Sequence, residues 1–265
     1  MEPLSAENIQ RRLPARTFGR AVHYFDRIGS TNTELKRLAE QGAPEGTLLV
    51  ADEQLAGRGR FERRWHAPPG CCLLASLLFR PGRFGLPAGQ AQQVTMVCAL
   101  AAVEAVAEVT GLAVGLKWPN DLVYQDRKLA GLLTELGFAA ETLDWVVVGL
   151  GLNVNLDFAS ESGPPLSETA ASLQTILGRP VSRLALLRAY LVRVEEGYEA
   201  LRAGHSPHPA WAGKLTTLGR EITVSGPGQT LHGLAEAVDE DGALLLRLAD
   251  GSLRRVLAGD VTLRG

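Results

Sequence analysis

Hydrophobic and polar positions along the chain switch repeatedly between strand-like and helix-like spacing. Residues 22–27 are β-forming and predict a first strand. Ser30, Thr31 and Asn32 then form an N-cap cluster before a helix with Leu35, Leu38 and Ala39 on one face, closed by Gly42. Residues 47–53 predict a strand, 54–70 have no core pattern, and 71–79 predict a buried strand. Residues 88–109 form the longest helical pattern; Gln90, Gln92, Gln93, Glu104 and Glu108 give it a polar side and Gly111 ends it. Short strands at 114–118 and 122–124 flank a Pro-Asn-Asp turn, a hairpin leads into 128–136, and 145–152 is another buried strand. This order predicts an α+β fold: a mixed sheet packed with helices on one side over residues ~20–155.

The remaining pattern predicts a loop at 156–168, helices at 170–177 and 184–201, and a linker at 205–209. From Leu215 the texture changes to short β-like pieces at 221–224, 231–238, 243–248 and 253–257, separated by Gly, Pro and Asp turns. Their spacing of ~10 residues predicts a small all-β barrel, without internal sequence repeats. The expected organisation is a polar, Arg-rich leader at 1–20, either one small helix or a loose segment, a main domain at 21–213 and a β domain at 214–265.

Composition narrows the class. Of 265 residues, 46% are hydrophobic and 21% charged, which suits a globular chain with a real core. Lys and Arg total 27 against 29 Asp and Glu, a net charge of −2, so gripping nucleic acid by overall charge is excluded. Cys71, Cys72 and Cys98 form neither a CxxC pair nor a disulfide framework and read as reduced core residues. The N-terminus has no apolar signal region, and apolar runs such as 71–79 fall short of the ~20 residues a membrane helix needs. A cytoplasmic protein with no membrane partner is expected.

Four segments could carry chemistry. Residues 57–65 (GRGRFERRW) hold four arginines, which would repel one another in a loop without a partner. Guanidinium forks bind phosphate or carboxylate in bidentate fashion, and glycines permit close backbone approach, so the loop is expected to order around an anion. Its plainer reading is a solvated basic loop. Residues 117–121 (KWPND) place a cation, an aromatic ring and two oxygen-bearing side chains at a strand–turn junction; Asn and Asp also simply favour turns. Asp121 beside an anion site would suit Mg²⁺ together with substrate phosphates. Residues 127–131 (RKLAG) put Lys128 at the start of an apolar strand, where a snorkelling edge lysine is the ordinary expectation. Residues 149–155 (GLGLNVN) place glycines inside an apolar strand, marking close approach; neither GxGxxG nor GxxxxGK[ST] occurs.

Together and in this order, these stretches, with Ser30-Thr31-Asn32, Gln54 and residues 259–264 (GDVTLR), resemble the biotin protein ligases, the biotin–[acetyl-CoA-carboxylase] ligases. The resemblance spans nearly the whole chain. It implies a biotin/lipoate ligase-like catalytic domain with an SH3-like C-terminal barrel. It also implies a two-step reaction. Biotin's carboxylate attacks the α-phosphorus of ATP, giving biotinyl-5′-AMP and pyrophosphate; a carrier lysine then takes the biotinyl group and AMP leaves. Residue by residue, it implies biotin contacts from Ser30, Thr31, Asn32, Gln54, Arg58, Gly59, Arg60, Lys128, Gly131 and Leu133. ATP or adenylate contacts are implied for Arg58, Arg60, Trp65, Asn120, Lys128, Asn153 and Arg264. Lys128 and Arg60 would act as fixed cations, and Asp121 either as a Mg²⁺ ligand or as a base for the incoming lysine. The implied substrates are biotin and ATP with Mg²⁺, and the implied partner is the biotin carboxyl carrier protein of acetyl-CoA carboxylase, with a homodimer as an option. Regulatory members carry an N-terminal winged helix–turn–helix; the roughly twenty residues before the first strand are too short for one, so no DNA partner is expected. Competing readings are a lipoate or octanoate ligase, a non-catalytic biotin or nucleotide sensor, and a nucleic-acid-binding protein using the Arg-rich loop.

Overall fold

In a computed structural model, which describes residues 2–61, 63–65, 67–158, 168–226, 229–257 and 259–263, one seven-stranded sheet organises the main body. Its strands are β1 (Val22–Ile28), β2 (Leu48–Gln54), β3 (Cys72–Phe79), β4 (Gly115–Lys117), β5 (Asp121–Tyr124), β6 (Arg127–Ala139) and β7 (Thr142–Asn153). They lie in the order β1-β2-β3-β7-β6-β5-β4, with β1 and β2 parallel and the other neighbours antiparallel. The parallel pair follows from the helix α2 (Thr31–Glu40) that links β1 to β2, because parallel strands need a crossover.

The sheet is covered unequally on its two faces, which corrects the expectation of helices on one side. Leu48, Val50, Leu77, Phe79, Val146, Val148, Leu150 and Leu152 share one core with the long helices α3 (Gln92–Thr110) and α5 (Arg183–Arg202). On the other face, α2 seals a smaller cluster with Leu35 and Ala39 over Leu49, Leu78, Trp145 and Val147. Beyond the edge of α2 that second face is free to form a pocket.

Three further expectations are revised. Of the two readings of the leader, the small helix is the one observed and the loose segment is not: α1 (Ala6–Gln10) and its flanks bury Leu4, Ile9, Leu13, Ala15 and Phe18 in the main core. Glu195 of α5 accepts the backbone N–H groups of Arg16, Thr17 and Phe18 at 2.6, 2.9 and 3.1 Å, fixing this segment to the helix. Second, Ala88–Thr110 is long and apolar enough to cross a membrane by length and composition, although no such segment was expected. Here most of it is buried between the sheet and α5, the ordinary use of such a helix in a core. Third, α4 (Leu173–Leu177) is shorter than the pattern suggests, and α6 (His208–Ala212) occupies the supposed linker with Trp211 buried.

After α6 come β8 (Glu221–Gly226), β9 (Gln229–Val238), β10 (Leu244–Arg247), β11 (Leu253–Val256) and β12 (Asp260–Leu263). They form an antiparallel five-stranded sheet in the order β11-β10-β9-β8-β12, consistent with an SH3-like fold. It is tied to the main body at β4: Leu116 pairs with Leu215, the Trp118 backbone N–H donates to Thr217 Oγ1 at 3.0 Å, and the Trp118 indole N–H donates to the Gly242 carbonyl at 2.8 Å.

Candidate active site

A cavity of about 570 Å³ opens on the second face of the main sheet, beside α2, under the Arg-rich segment and against β12. That size suits a small organic ligand. The sheet makes room for it by omitting side chains. Gly149 and Gly151 alternate with core-facing Val148, Leu150 and Leu152 along β7, so the backbone itself forms the floor. A Cβ at Gly149 would overlap the Asn32 amide, and one at Gly151 would lie 2.7 Å from Trp65 Cε2. Glycine is required at both positions by close approach, not by an unusual φ.

At one end, α2 presents buried polar groups. Ser30 is the N-cap and its hydroxyl accepts from the Thr33 backbone N–H at 3.4 Å; capping and pocket lining are therefore combined in one residue. Thr31 donates from its backbone N–H (2.7 Å) and its hydroxyl (3.1 Å) to Gln54 Oε1. Asn32 Nδ2 donates to the Leu133 carbonyl at 3.0 Å, and Ser76 Oγ donates to Asn32 Oδ1 at 2.6 Å. Such saturation lets a polar cluster remain buried.

At the other end the lining is charged. Arg58, Arg60, Arg63, Arg64, Lys117 and Lys128 face the cavity with Asp121, Asp126, Glu168 and Asp260. A chain of net charge −2 thus gathers a surplus of cations at one place. The Arg-rich segment is a short hairpin: Arg58 bridges Arg64, the Gly59 N–H donates to the Arg63 carbonyl at 2.7 Å, and the Trp65 N–H donates to Gly57 O at 2.9 Å. Arg60 Nη1 reaches Asn120 Oδ1 and the Gly259 carbonyl, each at 3.3 Å, and Arg63 pairs with Asp260. Burial pushes the Arg60 guanidinium down from its usual range, opposed by Asp260 and Asp121. Burial likewise lowers Lys117, opposed by Asp121.

Lys128 reaches this face through a β-bulge. Asp121 pairs with Gly131 and Leu122 with Ala130, but Val123 pairs with Lys128, leaving Leu129 as the extra residue. Leu129 and Ala130 are both in the core, and Lys128 Nζ stands 2.7 Å from Asp121 Oδ1. Bulges beside active sites characteristically re-aim one side chain in this way. Lys128 Nζ also lies 5.6 Å from the Trp65 ring centroid, and the buried Trp65 indole N–H has no hydrogen-bond partner among the described residues.

The cavity therefore brings together Ser30, Thr31, Asn32, Gln54, Arg58, Gly59, Arg60, Trp65, Asn120, Asp121, Lys128, Gly131 and Leu133. Asn153, expected at the phosphates, is not on its lining. That side chain is buried, its Nδ2 donates to the Ala171 carbonyl at 3.1 Å, and Cys72 Sγ approaches its Oδ1 at 3.7 Å, so it ties β7 to the segment before α4. Arg264 lies outside the described residues. Arg63, Arg64 and Asp260 line the cavity although the motif reading gave them no role. The density of arginine at 57–65 was the available signal for the first two. Among the described residues, no group of three His, Cys, Asp or Glu side chains could hold a metal ion.

Two family models match the chain: the biotin/lipoate A/B protein ligase family over residues 24–153, and the biotin protein ligase C-terminal domain over residues 217–264. The bifunctional ligase/repressor BirA of Bacillus subtilis is 32% identical over 98% of this chain and 79% of its own length. A biotin–[acetyl-CoA-carboxylase] ligase of Paracoccus denitrificans is 34% identical over 83% of this chain and 92% of its own. Among solved structures, a biotin protein ligase from Aquifex aeolicus in complex with biotin and ATP is 30% identical, with a TM-score of 0.76, over 92% of this chain and 99% of its own. Matches in both domains, over nearly the whole sequence, place the chain among the biotin protein ligases.

Proposed function

We infer that the protein activates biotin with ATP to biotinyl-5′-AMP and passes the biotinyl group to a lysine of a carrier protein, the carboxyl carrier of acetyl-CoA carboxylase being the partner that its relative's name indicates. The observation that carries this reading is the division of one cavity into a buried neutral polar end and a cationic end. Biotin has a neutral cyclic urea at one end and a carboxylate at the other, and the carboxylate must meet a triphosphate. Two unit negative charges about 4 Å apart repel by about 4 kcal/mol at an effective dielectric of 20. Fixed cations at the meeting point offset that repulsion and stabilise charge on the α-phosphate, which is the principal demand of phosphoryl chemistry.

In this reading Ser30, Thr31, Asn32 and Gln54 hold the urea, with Leu133 and Gly131 along the floor. Lys128, aimed by Asp121, sits at the junction of carboxylate and α-phosphate. Arg58 and Arg60 close the junction and retain the reactive anhydride. Trp65 covers the adenylate and offers its unpartnered indole N–H; Asn120 is hydrogen-bonded to Arg60 and keeps it in place. Asp121 alone makes no cage for Mg²⁺, so the ion would enter on ATP as part of the substrate, with Asp121 as a single protein oxygen toward it. The same carboxylate is also placed to take a proton from the attacking lysine, an amine whose reference pKa of ~10.4 leaves little free base at neutral pH. A cytoplasmic location fits the ATP requirement.

Incubation with Mg²⁺-ATP, labelled biotin and a carboxyl carrier domain should give labelled carrier, with no incorporation when lipoate replaces biotin. Lipoate transfer without biotin transfer would overturn the reading and favour the lipoate branch of the wider family.

A further inference from the structure

Glu135 has no part in the roles above, yet it stands at the edge of the buried polar end. It follows Gly131 and Leu133 on the pocket side of β6, and its side chain is only 15% exposed. Its Oε2 accepts from Asn32 Nδ2 at 3.2 Å. Its Oε1 meets Lys36 Nζ at 2.8 Å and Arg58 Nη1 at 3.3 Å. One oxygen thus serves the amide and the other is neutralised by two cations.

This arrangement settles which way the Asn32 amide faces. Both Nδ2 hydrogens are committed, one to the Leu133 carbonyl and one to Glu135, while Oδ1 receives the Ser76 hydroxyl. Turning the amide over would put Oδ1 against two acceptors, one of them charged. Without Glu135 only a single neutral carbonyl would oppose the turn. An amide nitrogen with both hydrogens spent offers a ligand nothing, whereas Oδ1 keeps a second lone pair.

We propose that Glu135 is a positioning residue that locks Asn32 with its carbonyl oxygen available, so that the pocket accepts a hydrogen bond from a ligand N–H. Resting on the biotin reading, this makes Glu135 a determinant of selectivity for the N–H edge of the cyclic urea, acting through Asn32 and not through its cation partners.

Two measurements test it. In the ligand-free protein, the Asn32 side-chain amide hydrogens, identified by their loss in Asn32→Ala, should exchange slowly with solvent, and Glu135→Gln should speed that exchange at least tenfold. Unchanged exchange overturns the lock whether or not biotin is the substrate. In the ligase assay, Glu135→Gln should raise KM for biotin about tenfold, equivalent to about 1.4 kcal/mol, with KM for ATP within twofold. In an Asn32→Ala background the same substitution should add nothing; a full additive effect there would overturn the path through Asn32. Lys36→Met removes a cation and leaves the Asn32 contact, so it should keep KM for biotin within twofold. A shift matching that of Glu135→Gln would mean that the charge pair matters instead. Failure of the unmodified protein to incorporate biotin would count against the functional reading and leave the exchange result standing.

Discussion

The two faces of the main sheet come from the same strands and yet do opposite work. Along β3 and β7 the face toward α3 and α5 is a continuous run of buried apolar side chains, joined on β6 by Ala130 and Leu132. The opposite face alternates with it residue by residue but carries Ser76, Gly131, Leu133, Glu135, Gly149 and Gly151. The first face supplies burial, worth roughly 25 cal/mol per Å² of apolar surface. The second gives up that gain where the pocket lies, leaving backbone and a few saturated polar groups. Rigidity on one side is what allows vacancy on the other, since a floor of glycine holds its shape only on a packed support.

Substitutions can break this comparison at either face. The largest effect is expected from Gly149→Val, whose side chain must enter the space of the Asn32 amide; biotin binding by calorimetry should be lost altogether while the far face stays packed. Leu77→Ala does the converse. It leaves a cavity in the fully buried face and should lower unfolding free energy in denaturant by about 2–5 kcal/mol. KM for biotin in the remaining folded protein should not change. Lys128→Ala removes one transition-state contact without disturbing either face. Pyrophosphate release should fall by roughly 10²–10³-fold, about 3 kcal/mol, with little change in melting temperature. A rate within threefold of the parent would deny Lys128 its role.

The smallest effect concerns pH. Burial lowers the Lys117 pKa, so its charge is lost at a lower pH than an ordinary lysine's as pH rises. If that cation assists the nucleotide, the alkaline limb of the pyrophosphate-release profile should begin below the usual lysine range. Lys117→Arg should move it upward. Measuring the first step alone keeps the carrier lysine out of the profile.

Much of this molecule was legible from residue order. Strand and helix alternation located the sheet, because each strand must hide one face and the pattern records which. The arginine run at 57–65 pointed to an anion site by itself, because crowded guanidinium groups demand a partner; the roles of 117–121 and 127–131 came from the family resemblance, since a turn and a snorkelling lysine explain those residues equally well. What remained hidden depends on contacts between distant segments. The packing of residues 4–18 rests on a core built by distant segments, and residues 16–18 are held by Glu195, nearly two hundred positions away. Asn153 has the parity of Gly149 and Gly151, so it reads as a pocket residue, but the Ala171 carbonyl claims its amide at the end of the strand. Glu135 was within reach of the same parity argument, two steps beyond Leu133. A lone glutamate on a strand gave no reason to apply it.

The extra residue at Leu129 has a wider consequence. Before it, an even-numbered position looks toward the nucleotide end; after it, odd-numbered positions do. A polypeptide with strict two-step rhythm could not set an ammonium group at 128 and a bare floor at 131 on one side while keeping 129 and 130 both dry. Exchange of one aliphatic side chain for another should be tolerated here. Straightening the strand at unchanged length would turn the ammonium group toward oil instead of substrate, whereas deleting residue 129 would leave 128 and 131 two steps apart on one side and remove only a buried aliphatic side chain.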